Sequence, residues 1–408
     1  MQYGAHKCVR LHVCRNCNVC SDLNIDTWDS VMEDFNSNSV WDLKDVIGPQ
    51  HALKTVDSTR YLGDIFQCNG RLDMNIQDRI NRGYGSVKEI SAMLEEMCLG
   101  PYHFQSGNVL RNSLLISSLL TNSEAWYGVT NKHMEDLEKV DEELLRKFLG
   151  CPSKTPKELL YLETGNIPLR YIVMGRRLNY LWYLLNEEED ALVRMFLQAQ
   201  IDSPIKGDWI LTVREDLAHL DINMDIEAIS ATSKSAFKII VKEAIYKKAL
   251  QYLQTIQSSH SKSKNLKYSK IMLQPYLQPS DEKLSINEKQ FIFTARSRMM
   301  DVLDNFKTGK KSIQCRACDK SPESQAHLLL CDQLSNNELS SILPDYNDIF
   351  GDNPQEIAKI GRQLKTKHEN LKKIVNNKPD APAASAAAST VISNDNCNGC
   401  FGNNFKKK

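Results

Sequence analysis

The sequence predicts a mainly α-helical protein with a small α+β piece at its amino-terminal end and a disordered carboxyl-terminal tail. Between residues 73 and 220, apolar side chains recur at steps of three, four and seven, which is the period of helices. Residues 1–66 contain only short runs, some of them alternating. The tail is predicted from the alanine, serine and proline of residues 379–408. A length of 408 residues suggests two or three domains.

The amino-terminal piece is predicted to contain two strands. Val9–Val13 alternates apolar and polar residues, as a half-buried strand does. Thr59–Phe66 is the second strand-like run. The polar stretch between them carries Trp28 and Trp41 and is predicted to be loop with weak strand.

The helical region divides into four predicted helices, each an apolar stripe bounded by glycine, proline or polar residues. Gly100-Pro101 ends the first and Gly150 ends the third, while Pro168 precedes the fourth. We expect the second helix to be buried, because it consists mainly of apolar residues and serine. The four predicted ranges are 76–97, 110–126, 131–149 and 169–185.

Charge is balanced overall but unevenly placed. The chain has 51 basic and 51 acidic residues, so it has no net charge that would attract it to nucleic acid or to a membrane. Residues 234–311, however, carry sixteen basic and six acidic residues, a net +10, interleaved with aromatic residues. Lysine attracts phosphate, and aromatic rings stack on unpaired bases. The segment is therefore either a nucleic-acid surface or a solvated helix whose aromatic residues face the core.

Hydropathy and the first residues argue against a membrane or secreted protein. The longest apolar runs, such as Leu114 to Leu120, are interrupted by serine and are too short to span a bilayer. Residues 1–7 show no apolar segment or cleavage pattern of a signal peptide. We expect a nuclear or cytoplasmic protein with reduced thiols.

The strongest local motif is a set of four metal-ligand residues. Cys315-Arg-Ala-Cys318 is followed by His327 and, four residues later, Cys331. A CxxC turn offers two ligands to zinc, and residues four apart on a helix project from one face. Four protein ligands leave no position for a catalytic water, so we predict a structural zinc site.

Two further groups of thiols are weaker metal candidates. Cys8, His12, Cys14, Cys17 and Cys20 lie in a strand and a polar loop without a distant partner pair. A second pair, Cys397 and Cys400, lies in the predicted tail, and two ligands alone hold zinc weakly. Free thiols are favoured for both groups.

Recognisable catalytic motifs are missing from the sequence. It contains no GxSxG, no GxxxxGK and no HExxH, and no Asp-Asp dipeptide for a two-metal site. The acidic run Glu187–Asp190 is predicted to be a solvated face or a linker. No small-molecule substrate is predicted.

Four ordered segments carry a resemblance to a known family. They are Gly4–Val13; Tyr61-Leu62-Gly63-Asp64; Leu120–Gly128 with Leu144–Arg146 and Leu159–Glu163; and Cys315, Cys318, His327 and Cys331 with Glu323. Together they resemble the carboxyl-terminal part of a non-LTR (LINE-type) retrotransposon reverse transcriptase, over about residues 1–335. Lys7 matches the lysine of palm motif D. Tyr61, Leu62 and Gly63 match the primer-grip turn.

The resemblance implies a division of the chain into six parts. They are 1–66, truncated palm strands; 67–232, a helical thumb and connector bundle; 233–311, a basic helical segment; 312–335, a CCHC zinc knuckle; 336–378, a helical extension; and 379–408, a disordered tail. The thumb, the basic segment and the knuckle would then contact template RNA or target DNA, mostly through phosphates. The residues predicted to bind nucleic acid are Lys262, Lys264, Lys267, Lys270, Arg296 and Arg298.

Departures from the family pattern limit the expected activity. In the family, the YxDD carboxylates and nucleotide-binding motifs precede the part that this sequence matches. We therefore expect this chain alone not to polymerise, with Lys7 a remnant and Mg²⁺ needed only by a complete polymerase. Two alternatives stay open: a host-adopted, zinc-stabilised module that binds nucleic acid or protein, and a transposon remnant without function.

Overall fold

The computed structural model describes ten stretches of the chain. They are residues 9–11, 54–56, 58–61, 63–67, 70–97, 100–263, 266–279, 283–306, 312–334 and 345–377. Over these residues the protein is mainly helical, with short strands towards the amino terminus, which confirms the predicted fold class in outline. The predicted tail at 379–408 lies outside the described residues, as does Lys7.

The strands form two separate pairs. Strand β1 (Val9–Leu11) runs parallel to β2 (Lys54–Val56). Strand β3 (Ser58–Tyr61) pairs antiparallel with β4 (Asp64–Gln67). The strand-like run predicted over 59–66 therefore contains two strands, because the chain reverses in the middle of that run. Gly63, at φ +90°, supplies the left-handed conformation that a tight hairpin turn requires.

The hairpin of β3 and β4 is fastened to the first helix, α1 (Asp73–Glu96), by buried polar groups. Arg79 of α1 donates to the Asp64 carboxylate at 2.6 Å and to the Gly63 carbonyl at 3.1 Å. The Asn75 amide donates to the same carboxylate at 3.1 Å. These contacts fix the hairpin turn relative to the helical body.

The remaining helices follow in chain order. They are α2 (His103–Leu110), α3 (Ile116–Leu119), α4 (Asn131–Leu149), α5 (Lys157–Thr164), α6 (Leu169–Leu185), α7 (Leu192–Asp202), α8 (Trp209–His219), α9 (Ile226–Ala231), α10 (Lys234–Ser259), α11 (Ile286–Arg296), α12 (Gln325–Leu330) and α13 (Pro354–Asn376). The predicted helices over 76–97, 131–149 and 169–185 correspond to α1, α4 and α6. None of the helices in the described ranges is both long and apolar enough to cross a membrane.

The buried helix predicted over 110–126 is present only in pieces. A π-helical turn at Arg111–Leu115 separates α2 from α3, and the helical run ends before Asn122, whose φ is +56°. Arg111 lies in the π turn, and its guanidinium donates two hydrogen bonds of 2.6 Å to the buried Asp141 carboxylate. Apolar composition predicted the burial but could not predict an interruption that accompanies a long-range ion pair.

The core lies where α4 packs on α1, and where α6 packs on α8 and α10. The stripe of α4 that the sequence predicted is buried, and Gly150 caps the helix at φ +57°. Within the described residues of the basic segment, helices α10 and α11 are joined by chain that contains one 3-10 turn, Pro275–Leu277. The described part of the segment predicted as helical over 233–311 thus contains two α-helices and two short 3-10 turns, the second at Leu303–Phe306. Buried Gln257 donates to the Ser263 and Leu266 carbonyls and fixes the exit from α10.

Candidate metal centre

The four predicted metal ligands converge in the structure. The ligand atoms of Cys315, Cys318, His327 and Cys331 all lie within 4.8 Å of one another. The Cys318 Sγ atom is 3.3 Å from His327 Nε2. Cys315 and Cys331 are buried, and the other two ligands are half-buried. This Cys3His cluster could bind a metal ion and is compatible with structural zinc.

The first two ligands, Cys315 and Cys318, lie in a short turn that backbone hydrogen bonds hold in place. The Cys315 N–H donates to the Ser321 carbonyl at 2.8 Å, and the Asp319 N–H donates to the Cys315 carbonyl at 2.8 Å. Asp319 adopts a left-handed conformation, φ +55°, which brings the chain back on itself. An antiparallel bridge between Gln314 and Pro322 closes the turn. Both cysteine side chains are therefore held at one end of a small loop.

Helix α12 places the other two ligands. Ser324 caps the helix by accepting a hydrogen bond of 3.1 Å from the His327 N–H. His327 lies in the first turn, and Cys331 follows the last helical residue, Leu330. The four-residue spacing thus places both side chains on one side of the helix, as predicted from the sequence.

Glu323 joins the turn that carries Cys315 and Cys318 to the rest of the protein. Its carboxylate is fully buried and accepts hydrogen bonds from the Arg316 and Leu303 backbone N–H groups, at 2.9 and 3.1 Å. The Arg316 guanidinium also donates to it, at 2.7 Å from Nη2. The glutamate that accompanies the ligands in the family resemblance is therefore a support for the loop and not a ligand.

The pKa values of two of the cysteine thiols are shifted in opposite directions. The hydrogen bond from the Lys320 backbone lowers the pKa of Cys318 to about 7, with a further contribution from His327. Burial raises the pKa of Cys331 to about 12, and the neighbouring Cys315 acts in the same direction. A thiolate next to further sulfur ligands is the form that binds a soft or borderline cation.

The cluster is docked on helices that the sequence did not connect with it. The Gln325 amide donates to the Ala295 carbonyl near the end of α11, at 3.0 Å. Lys367 of α13 donates to the carbonyl of the ligand Cys331, at 3.2 Å. These contacts could not be predicted from the sequence, because the partners belong to separate parts of the chain.

The lysines predicted to bind nucleic acid differ in exposure. Lys267 and Lys270 are exposed. Lys262 is half-buried, with its Nζ atom 4.7 Å from the centre of the Phe306 ring and 3.4 Å from Met299 Sδ. Lys264 lies outside the described residues. Arg298 is half-buried, with its guanidinium 6.0 Å from the Phe350 ring centre.

Arg296 is placed inside the protein, so its predicted contact with nucleic acid is wrong. Its side chain is only 2% exposed, and its Nε donates to the fully buried Glu163 carboxylate at 2.9 Å. Its Nη1 donates to the Ile349 and Gly351 carbonyls. Burial favours a neutral arginine, but the pKa of Arg296 is nevertheless raised, because Glu163 stabilises its charge. The guanidinium has no surface left for a phosphate.

Lys154 is a further basic residue that affects Lys262. Burial lowers the pKa of Lys262, and the positive charge of Lys154 lowers it further. Lys154 is exposed and precedes α5, far from Lys262 along the chain. No motif or charge run marks it.

The predicted primer-grip residues lie at the hairpin turn. Tyr61 is 64% exposed, Gly63 lies in the turn, and Leu62 is outside the described residues. Their assignment to a primer grip stays a prediction.

Comparison with protein-family models, with curated proteins and with solved structures found no match to this chain.

Proposed function

We propose that this chain binds RNA or DNA through a basic loop that packs beside a zinc-stabilised knuckle. The contact between Lys262 and the loop of Met299 and Phe306 carries the proposal. The knuckle is tied to the same loop, because Glu323 accepts the Leu303 N–H. Lys262 and the metal cluster therefore share one support, and the metal would keep that support in place.

The charges of this surface favour an anionic ligand. The basic surface consists of Lys154, Lys262, Lys267 and Lys270. Within the described residues, none of the four forms an ion pair with a carboxylate, and Lys154 and Lys262 repel each other. Phosphates would relieve that repulsion and release counterions on binding. Such contacts depend little on base sequence.

Zinc is the metal proposed for the knuckle. Three sulfurs and one imidazole nitrogen match the ligands of closed, tetrahedral zinc sites. The site would supply folding energy and no chemistry. Elemental analysis of the purified protein should find one zinc ion per chain, and Cys318→Ser should lower that content.

The wider role that we propose is that of the carboxyl-terminal part of a non-LTR reverse transcriptase. The order of the Tyr-Leu-Gly hairpin, the helical region and the Cys3His cluster supports this proposal. In such a protein the basic surface would hold template RNA or target DNA. Binding, and not polymerisation, is the activity proposed for this chain itself.

Salt-dependent binding by fluorescence anisotropy tests the proposed function. Labelled single strands and duplexes of RNA and DNA are titrated with the full chain at several salt concentrations. Each lysine that contacts a phosphate should contribute about 0.7–0.9 to the slope of log affinity against log salt. The double variant Lys267→Gln/Lys270→Gln should therefore weaken binding and reduce the slope by about 1.4–1.8.

The matched control removes two exposed lysines from another helix. Lys132 and Lys139 of α4 both pair with Asp136, at 3.2 and 2.7 Å. Lys132→Gln/Lys139→Gln makes the same change in net charge and should leave the slope unchanged. Binding that does not depend on salt, or equal losses in both double variants, would contradict the proposal.

A further inference from the structure

Helix α7 turns its apolar stripe towards solvent. Leu192, Met195 and Phe196 are 67%, 55% and 64% exposed, and Ala199 continues the stripe at the same helical period. Leu197 is the one fully buried residue of this helix. In an amphipathic helix such a stripe normally packs against a core. The stripe of α7 therefore has the pattern of a packed face without a partner in the described part of the chain.

A groove runs beside this stripe. Its lining includes Val193 and Phe196 of α7, together with Tyr180, Leu184 and Trp209 from the neighbouring helices. The groove has a volume of about 190 Å³. Its walls are mostly apolar, and the Trp209 indole N–H is already bonded to the Glu124 carbonyl at 2.9 Å. The groove is suited to a large apolar or aromatic side chain.

The surroundings of α7 are acidic. Residues 187–208 contain six acidic and two basic residues, a net charge of −4. Glu188, Glu189 and Asp190 are exposed immediately before the helix. A partner for this surface should therefore combine apolar side chains with positive charge.

The outer face of α10 has these properties. Ile239, Ile240 and Tyr246 are 57%, 37% and 40% exposed, opposite the buried stripe of the helix. Exposed Lys238 and Lys242 flank them. Residues 234–248 contain five lysines and one glutamate, a net charge of +4. The chain thus carries both an acidic and a basic apolar helix face.

We propose that the α7 face of one copy of this chain binds the α10 face of a second copy. Apolar side chains of α10 would enter the groove beside Phe196, and the lysines of α10 would meet the acidic residues before α7. Two different surfaces form this contact, so it is heterologous, and each bound copy leaves one face open for another copy. This self-association does not depend on the proposed binding of nucleic acid.

Analytical ultracentrifugation of the full chain tests the proposal. The wild-type protein should gain mass with concentration, and high salt should weaken the association. Met195→Ser/Phe196→Ser disrupts the α7 face, and Lys238→Glu/Lys242→Glu disrupts the α10 face. Each double variant alone should associate at least about tenfold more weakly than the wild type, because anchoring side chains or complementary charges are lost.

Mixing the two double variants gives the decisive result. The α10 face is intact in the first variant and the α7 face is intact in the second, so the mixture should form a heterodimer that stops at two chains. Contact between two α7 faces would give no recovery on mixing and would overturn the proposal, as would a monomeric wild type. Thermal unfolding of each variant checks that these exposed substitutions leave the fold intact.

A charge reversal gives an independent control. Glu188→Lys/Glu189→Lys should weaken self-association of the wild-type chain. Combined in one chain with Lys238→Glu/Lys242→Glu, it should restore self-association, because both faces of that quadruple variant are then reversed. If the quadruple variant associates no better than either double variant, charge complementarity does not guide the contact.

Discussion

Replacing Arg296 by methionine tests whether this residue stabilises the fold or binds a ligand. Methionine keeps much of the apolar length of the side chain but removes the guanidinium. The variant leaves the Glu163 carboxylate buried with the Tyr268 hydroxyl as its remaining donor, at 2.6 Å. It also removes the donor to the Gly351 carbonyl.

The expected loss of stability follows from the burial of both partners of the ion pair. The side chains of Arg296 and Glu163 are 2% and 0% exposed, so solvent does not screen their interaction. Removing one partner of a buried ion pair costs about 3–5 kcal/mol. At roughly 1.2 °C per kcal/mol for a protein of 408 residues, the melting temperature should fall by about 4–6 °C.

Thermal and urea unfolding followed by circular dichroism measure this loss. Arg296→Met/Glu163→Gln should be more stable than Arg296→Met alone, because no uncompensated charge then stays buried. Lys270→Met, at an exposed position, is the control and should change stability little. An Arg296→Met protein with unchanged stability but weaker nucleic-acid binding would refute the assignment of Arg296 to the core.

Three shorter predictions concern other parts of the molecule. A zinc chelator should lower the melting temperature of the wild type but not of Cys318→Ser, as circular dichroism would show. Gly165→Ala should lower the free energy of unfolding in urea by about 2–5 kcal/mol, because φ is +73° and a Cβ would lie 2.2 Å from the Leu273 nitrogen. The control Gly85→Ala, in open space within α1, should instead raise the free energy of unfolding by roughly 0.5–1 kcal/mol. Burial lowers the pKa of His103 from 6.5, so the unfolded chain binds this proton more readily. Stability should therefore decrease as the pH falls below that value, and urea midpoints should show a smaller decrease in His103→Gln.

Local patterns in the sequence predicted the parts of the structure that depend on local physics. The end of α4 follows from Gly150, since glycine adopts the left-handed conformation without strain. The metal cluster follows from the Cys315–Cys318 turn and from the spacing of His327 and Cys331, which one helical turn brings together. In both cases the residues that determine the geometry are close to one another in the chain.

Long-range pairing could not be predicted in this way. Arg296 lies in a basic segment, and a count of charges cannot distinguish an exposed arginine from one whose partner is buried. Glu163, its partner, lies at the end of α5 in a region predicted only as thumb helices. The hairpin of β3 and β4 shows the same limit on a smaller scale, since one strand-like run contains two strands and the turn between them.

Helix α7, which is not among the four helices predicted from the sequence, shows that an apolar period does not identify the partner of a helix face. A three- and four-residue period indicates that one face of a helix packs against something, but the pattern is the same for a core and for an interface. In α4 the stripe lies in the core. In α7 it faces outward beside an acidic surface, and the matching basic stripe occurs on α10 of the same chain. Under the two proposals, the positive charge of residues 234–311 would serve two purposes: the lysines of α10 would guide contact between copies, and those of the basic surface would bind phosphate. The net charge of the whole segment, counted from the sequence, does not distinguish these two surfaces.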